Sequence, residues 1–268
     1  MTLASLLAST TSLASGAGVP ALDIEAPNGS HNVLIPSMHM GYANLRQPTM
    51  AVLQGAKVFV VEHVEFPFGP TGQEADISSP LQEDLQAWID HKDKRAPWAK
   101  DLTEAEVAML RKRIECISGI PEGDHGMTEL WLSVRNPFPA MIRAHRPCGQ
   151  QGLQIRDAIL QKGAESLGIH IEELESMAEI WRRRAAIPTT THLASLHYGL
   201  DNPLEPIYEQ LVAAINAGDF EKVQELSFTG TGDSPEAAAY FKRVMVEERN
   251  AAWLLHAILN EPQGQLLG

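Results

Sequence analysis

Residues 33–64 read VLIPSMHMGYANLRQPTMAVLQGAKVFVVEHV, and the pattern is strand, helix, strand. Residues 33–38 form a short apolar run that ends in His39-Met40-Gly41. Residues 43–55 carry helix formers, with Leu45, Met50, Val52 and Leu53 available for one apolar face. Residues 57–61 are a continuous β-branched and aromatic run, the pattern of a parallel strand buried on both faces. A right-handed crossover would bring the two strands close together in one sheet. His39 then stands just past the carboxyl end of the first strand and Glu62 at the carboxyl end of the second, the edge where ligand sites of open α/β sheets lie. With adjacent strands about 4.8 Å apart, their side chains come within roughly 8 Å. An imidazole and a carboxylate converging there can bind a metal or share a proton. The alternative is that His39 caps the crossover helix and Glu62 makes a salt bridge.

Upstream, residues 21–25 alternate as a half-exposed strand does, and Pro27-Asn28-Gly29-Ser30 predicts a hairpin. Pro36 suits an edge or the last residues of a strand better than its centre. Downstream, residues 65–80 (EFPFGPTGQEADISSP) hold too much Pro and Gly for regular structure and read as a surface loop near Glu62. The chain then turns helical. One helix is expected at 81–93. A second opens at the capping box Thr103-Glu104-Ala105-Glu106 and stops at Gly119. Two short helices at 128–146 are broken at Asn136-Pro137, and a helix at 155–166 is ended by Gly168. Residues 169–171 suggest a further short strand. Trp181-Arg182-Arg183-Arg184 closes the next helix, where cations suit the negative dipole end. Helices follow at about 189–198, 203–216 and 218–226, with a long one from 234 to about 260. The expected fold is α+β: one domain from residue 20, with a small mixed sheet near the N-terminus (hairpin plus βαβ unit) and helices packed around it.

The 268 residues are 44% hydrophobic and carry a net charge of −13. That balance argues against a nucleic-acid backbone as partner, which needs a basic face. No segment approaches 18 uninterrupted apolar residues, so no transmembrane helix is predicted. Residues 1–19 are small and mildly apolar, and Val19-Pro20-Ala21 is like the cleavage region of an exported leader, although no Lys or Arg precedes them. The expectation is a weak or truncated leader and an exported or cell-envelope protein, with a cytoplasmic one as the alternative. Two cysteines are too few for a disulfide scaffold. If the protein is exported, Cys116 and Cys148 are expected to tie the helix before Gly119 to the turn at Pro147, which requires Cα atoms within about 7 Å. There is no Gly-rich phosphate loop, no G-x-S-x-G elbow and no H-E-x-x-H. His192 and His197, five apart, splay across a helix face and read as surface or half-buried residues. Cys148 near His145 is poor evidence for a nucleophile.

The order of short motifs resembles the TraB/GumN family, relatives of the Tiki metalloproteases. Members begin with a strand pair, then Gly-Thr-x-His-x-Gly, a helix, and a strand ending in Glu. Here Pro36-Ser37-Met38-His39-Met40-Gly41 and Val58-Phe59-Val60-Val61-Glu62 stand in those places. Asp157, Leu160, Ala164 and Gly168 match the family's Asp-containing helix, and Leu174-Glu175 its Leu-Glu after the short strand. Gly218-Asp219-Phe220 with Glu225-Leu226 resembles its Gly-Asp helix start, and Glu248-Arg249-Asn250 with Trp253 its Arg-Asn motif. The resemblance runs from about residue 20 to 260.

It implies a metal-dependent hydrolase of the peptidase kind, acting on a peptide or small-molecule substrate with a divalent metal ion of the Mn, Co or Zn class. His39 would be a metal ligand. Glu62 would be a second ligand or the catalytic base that activates water. Asp157, Glu175, Arg249 and Asn250 would be supporting or substrate-binding groups. Two departures matter. Pro36 and Ser37 replace the first glycine and the threonine, and no Gly-x-x-His, the family's second histidine motif, occurs anywhere. The chain is therefore expected to be C-terminally incomplete, with half of its imidazoles and weak metal binding. His125, in a Gly-flanked turn, is the most mobile histidine that could complete the set. A non-catalytic peptide-binding or regulatory protein on the same fold, or an inactive truncated member, is the rival reading.

Overall fold

The hairpin expected at the start of the chain is present. β1 (Leu22–Glu25) and β2 (His31–Leu34) pair antiparallel, with Leu22 opposite Leu34 and Glu25 opposite His31. The computed structural model describes residues 18–25, 31–62, 95–118, 126–150, 152–227, 229 and 235–253. The leader-like 1–17, the turn at 26–30, the loop at 65–80, the helix expected at 81–93 and His125 lie outside the described residues.

The strand after the hairpin does not join it. β3 (Val58–Val61) pairs in parallel with β4 (His170–Glu173), Val58 opposite His170 and Val61 opposite Glu173. Among the described residues, two separate two-stranded sheets therefore take the place of one mixed sheet with a βαβ unit. β2 ends at Leu34, before Pro36, which has no N–H to give a ladder. Nor is β3 buried on both faces, since Val58 and Val60 are about half exposed. Its inner side meets the cluster of Leu53, Leu160, Ala164 and Ile171 through Phe59.

The expected crossover helix is reduced to one 3₁₀ turn, Met50–Leu53. Pro48 disfavours helical backbone at Gln47, and Asn44 sits at φ 65°, a left-handed conformation that interrupts a helix. Side chains from far along the chain satisfy this segment's backbone instead. Gln150 Oε1 accepts from Ala43 N–H at 3.0 Å. Asn216 accepts from Arg46 N–H at 3.0 Å and donates to the Asn44 carbonyl at 2.8 Å. Arg156, fully buried, donates from Nη1 to the Pro36 carbonyl at 2.8 Å and from Nε to the Arg46 carbonyl at 2.9 Å.

The rest is helical, and the fold is α+β. α1 (Glu104–Ser118) opens on the expected capping box, Glu106 N–H donating to the Thr103 hydroxyl at 3.2 Å and Thr103 N–H to the Glu106 carboxylate at 2.7 Å. α2 (Gly126–Ser133) and α3 (Phe138–Ala144) flank the predicted break, where Asn136 Oδ1 accepts from Phe138 N–H at 2.9 Å. α4 (Arg156–Leu167) ends on Gly168 at φ 67°, as a left-handed cap requires, and leads into β4. α5 (Met177–Ala185), α6 (Thr189–Asp201), α7 (Glu205–Ala217) and α8 (Phe220–Ser227) follow. Leu110, Ile114, Leu132, Ala144 and Leu196 form the main apolar core among α1, α2, α3 and α6. His192, expected at or near the surface, is buried in α6 at 2% exposure, and its Nε2 lies 3.1 Å from the Arg184 carbonyl. Cys116 and Cys148 are bonded, with Cα atoms 5.4 Å apart. α9 (Pro235–Lys242) runs into a π-turn over Arg243–Glu247 and then into residues 248–253, again helical. No helix among the described residues is long and apolar enough to cross a membrane.

Candidate functional site

β3 and β4 end side by side, and a carboxylate follows each. The ladder continues past the strands, with Leu174 N–H donating to the Val61 carbonyl at 2.9 Å and Glu175 N–H to the Glu62 carbonyl at 3.0 Å. Glu62 and Glu175 thus stand together at the carboxyl edge of a parallel pair, the usual place for a site in such a sheet. Both carboxylates meet Arg249, carried by the helical turn after the π-turn. Its Nη2 donates to Glu62 Oε2 at 2.7 Å, while Nε and Nη2 both meet Glu175 Oε1. The guanidinium also lies 4.4 Å from the centre of the Trp253 ring, a cation–π contact.

His39 enters from the loop after β2. Its Nε2 is 3.0 Å from Glu62 Oε2, and its Nδ1 is 3.5 Å from Asp157 Oδ2 in the first turn of α4. The sequence expected His39 and Glu62 to share a cleft, and their side chains are in contact, though by a loop against a strand end instead of two neighbouring strands. Asp157, Glu175 and Arg249 join them. Asn250, the next residue, is exposed and makes no side-chain hydrogen bond to a described residue.

The charges hold one another. The Asp157 hydrogen bond, and then that of Glu62, push the His39 imidazole from 6.5 up to about 10 against the effect of its partial burial. Burial pulls the Glu62 carboxyl upward, but His39 and Arg249 outweigh it and hold the carboxyl at about 2. Burial, and then the nearby Arg249, bring Arg184 at the end of α5 down to about 10. Near neutral pH the Glu62 carboxylate therefore faces protonated His39, Arg249 and Arg184, with Asp157 and Glu175 beside them. A cation entering here has to displace a proton.

The donor chemistry suits a divalent ion in kind. With Nδ1 facing the Asp157 carboxylate, His39 presents Nε2 toward Glu62, the carboxylate–histidine arrangement that metal sites use. Glu175 Oε2 is buried and has no hydrogen-bond partner among the described residues. The count falls short: among the described residues no group of three or more His, Cys, Asp or Glu could hold a metal ion. His39 and Glu62 are the two donors in contact.

A cleft of about 230 Å³ opens beside His39, with Met40, Arg146, Pro147, Leu153 and Ile155 in its walls. Gly41 sets its width, because a Cβ there would lie 2.3 Å from the Leu153 carbonyl oxygen. Sequence reasoning missed Arg156, Gln150 and Asn216, which hold the His39 loop, and Arg184, which it read only as a helix-end cation. Arg156 did leave a signal: a cation in the first turn of a helix opposes the dipole.

The model of the TraB/PrgY/gumN family matches residues 24–265 of the chain. No curated protein and no solved structure matches it.

Proposed function

The chain belongs to the TraB/PrgY/gumN family, and from that premise we propose that it is a metal-dependent hydrolase of the peptidase kind centred on His39 and Glu62. The observation that carries the reading is the 3.0 Å contact of His39 Nε2 with Glu62 while Asp157 faces the other ring nitrogen. His39, once deprotonated at Nε2, and Glu62 are the groups that would hold a divalent cation of the Mn, Co or Zn class. When bound, such an ion supplies Lewis-acid polarisation of a carbonyl. Asp157 orients the imidazole by accepting from Nδ1. Once His39 has lost its proton, and with it the strongest pull that lowers the Glu62 carboxyl, Glu62 is the base that takes a proton from water, while Arg249 fixes its carboxylate and offers positive charge to an oxygen that becomes anionic. Glu175 keeps Arg249 in place. The Cys116–Cys148 bridge supports an exported or cell-envelope location, where disulfides persist.

Two protein donors are fewer than the three that a catalytic zinc site takes, so binding should be weak. Titrating Mn²⁺, Co²⁺ and Zn²⁺ by calorimetry should give one weak site that is lost in both His39→Ala and Glu62→Gln. Metal-dependent cleavage of a peptide library should disappear with it. Binding that survives His39→Ala, or no binding at any accessible concentration, sinks this reading. One observation favours a second, a non-catalytic peptide-binding protein: Arg249 already neutralises Glu62. Peptides retained by the protein and recovered uncleaved in the presence of metal would select it.

A further inference from the structure

We propose that the cleft beside His39 receives the C-terminal residue of a peptide, with Arg146 as the counter-ion of its α-carboxylate and an apolar side chain against Met40, Pro147, Leu153 and Ile155. The inference rests on the hydrolase reading only for the fate of the peptide, since the binding itself does not require cleavage.

Apart from His39, Arg146 and Gln150 the wall residues are apolar or glycine, although polar atoms, backbone included, make up nearly half of the exposed surface. Gln150 is already committed, its Oε1 accepting from Ala43 N–H and its Nε2 donating to the Cys148 carbonyl at 3.3 Å. Arg146 is the cation in the wall that has no carboxylate partner among the described residues. Several other arginines are engaged, and Arg113, also without an acid among the described residues, donates to the Asn202 carbonyl and is not in the cleft wall. Arg249 holds Glu62 and Glu175, Arg95 holds Glu129, Arg243 faces Glu248, and Arg143 stacks on Trp131 at 5.2 Å. In a chain of net charge −13, a half-buried arginine in a cleft wall, with no acid partner among the described residues, marks a place for an anion brought from outside.

Size and lining narrow the anion. About 230 Å³ lies below the roughly 300–1,000 Å³ of pockets that enclose drug-sized ligands, so the cleft holds about one residue and not an extended peptide. A glutamate or aspartate side chain would reach Arg146 but leave the apolar wall facing water. A C-terminal leucine-like residue satisfies both at once, its carboxylate forming charge-assisted, fork-like hydrogen bonds with the guanidinium. His39 lines the same cleft, which sets the bond preceding that residue toward the His39–Glu62 pair.

The test compares three small probes on the intact, oxidised protein by NMR titration: N-acetyl-leucine, N-acetyl-leucinamide and N-acetyl-glutamate α-amide. N-acetyl-leucine should bind at least about tenfold more tightly than either of the others. Arg146→Gln should abolish that preference and Arg146→Lys should recover part of it, while Arg143→Gln should leave it unchanged. Equal binding of acid and amide by the wild-type protein overturns the proposal, whatever the variants do. A preference that survives Arg146→Gln in a folded variant overturns it too, and tighter binding of the glutamate probe assigns the cleft to side-chain carboxylates instead. A carboxylate preference without cleavage of any peptide would support this inference while removing the hydrolase reading.

Discussion

Arg249 serves two carboxylates, one of them on a side chain only 3% exposed. Removing one partner of a buried ion pair leaves the other charge without compensation, which costs about 3–5 kcal/mol. Arg249→Met should therefore destabilise the protein by about that much in urea unfolding, and adding Glu175→Leu should recover most of it. A loss below about 1 kcal/mol for Arg249→Met would mean that Glu175 draws its compensation from elsewhere. Arg156 offers a second residue-scale test, because it donates to the carbonyls of Pro36 and Arg46 from full burial. Arg156→Met should cost at least about 3 kcal/mol, since hydrogen bonds to a charged group are each worth about 1.5–3 and the carbonyls stay buried. It should also release His39 from Glu62, visible as a change in the His39 ring resonances. At this scale the sequence was legible where a motif carried the residue: His39, Glu62, Asp157, Glu175 and Arg249 could all be named from it. Arg156 and Asn216 could not, because their partners lie 120 and 172 residues away, and spacing says nothing about so distant an acceptor.

The elements were legible where local signals rule. The capping box at Thr103, the break at Asn136-Pro137 and the left-handed cap at Gly168 are each decided within a few residues, and each is where the sequence puts it. The crossover failed because its helix formers were outvoted by Pro48, by Asn44 and by remote side chains that satisfy the backbone without a helix. Strand pairing is likewise a long-range choice, and β3 found β4 more than a hundred residues on. The α1 cap supplies a pH test. Burial raises the Glu106 carboxyl, but the Thr103 backbone and hydroxyl together with His197 outweigh it, so it titrates below its ordinary 4.5. Its contribution is present above that value and is lost as pH falls through the lower, folded-state value. Unfolding of Glu106→Gln and wild type should therefore differ at pH 6, and the difference should shrink as pH falls below 4.5. Gly41→Ala tests the cleft as an element: the added methyl meets a backbone carbonyl, which cannot swing aside as a side chain does. A loss of about 1–3 kcal/mol is expected, together with weaker binding of N-acetyl-leucine.

Across the whole molecule, the site draws His39 and Glu62 from the first quarter of the sequence, Asp157 and Glu175 from the middle and Arg249 from near residue 250. The Cys116–Cys148 bridge spans 32 residues, a loop whose closure stabilises by about 3–4 kcal/mol in the chain-entropy account. Cys116→Ser with Cys148→Ser should lower stability by that amount in the absence of reductant, and reductant should bring the wild type to the same value. The π-turn at Arg243–Glu247 has a consequence for how this assembly tolerates length change. Such a turn holds one residue more than a regular helical turn, so everything after it is set back by about 100° from where an unbroken α-helix of the same sequence would put it. With all five residues present, Arg249 and Trp253 face the strand ends only while the turn keeps this wide winding. Deleting a single residue such as Val246 should let the helix close to a regular turn with the guanidinium still facing Glu62 and Glu175, because the wide turn was holding that residue in excess. This last described helix is thus indexed by winding as well as by composition: loss of one residue in the turn should be tolerated in urea unfolding, and loss of a second, with no extra residue left to absorb it, should mimic loss of the arginine.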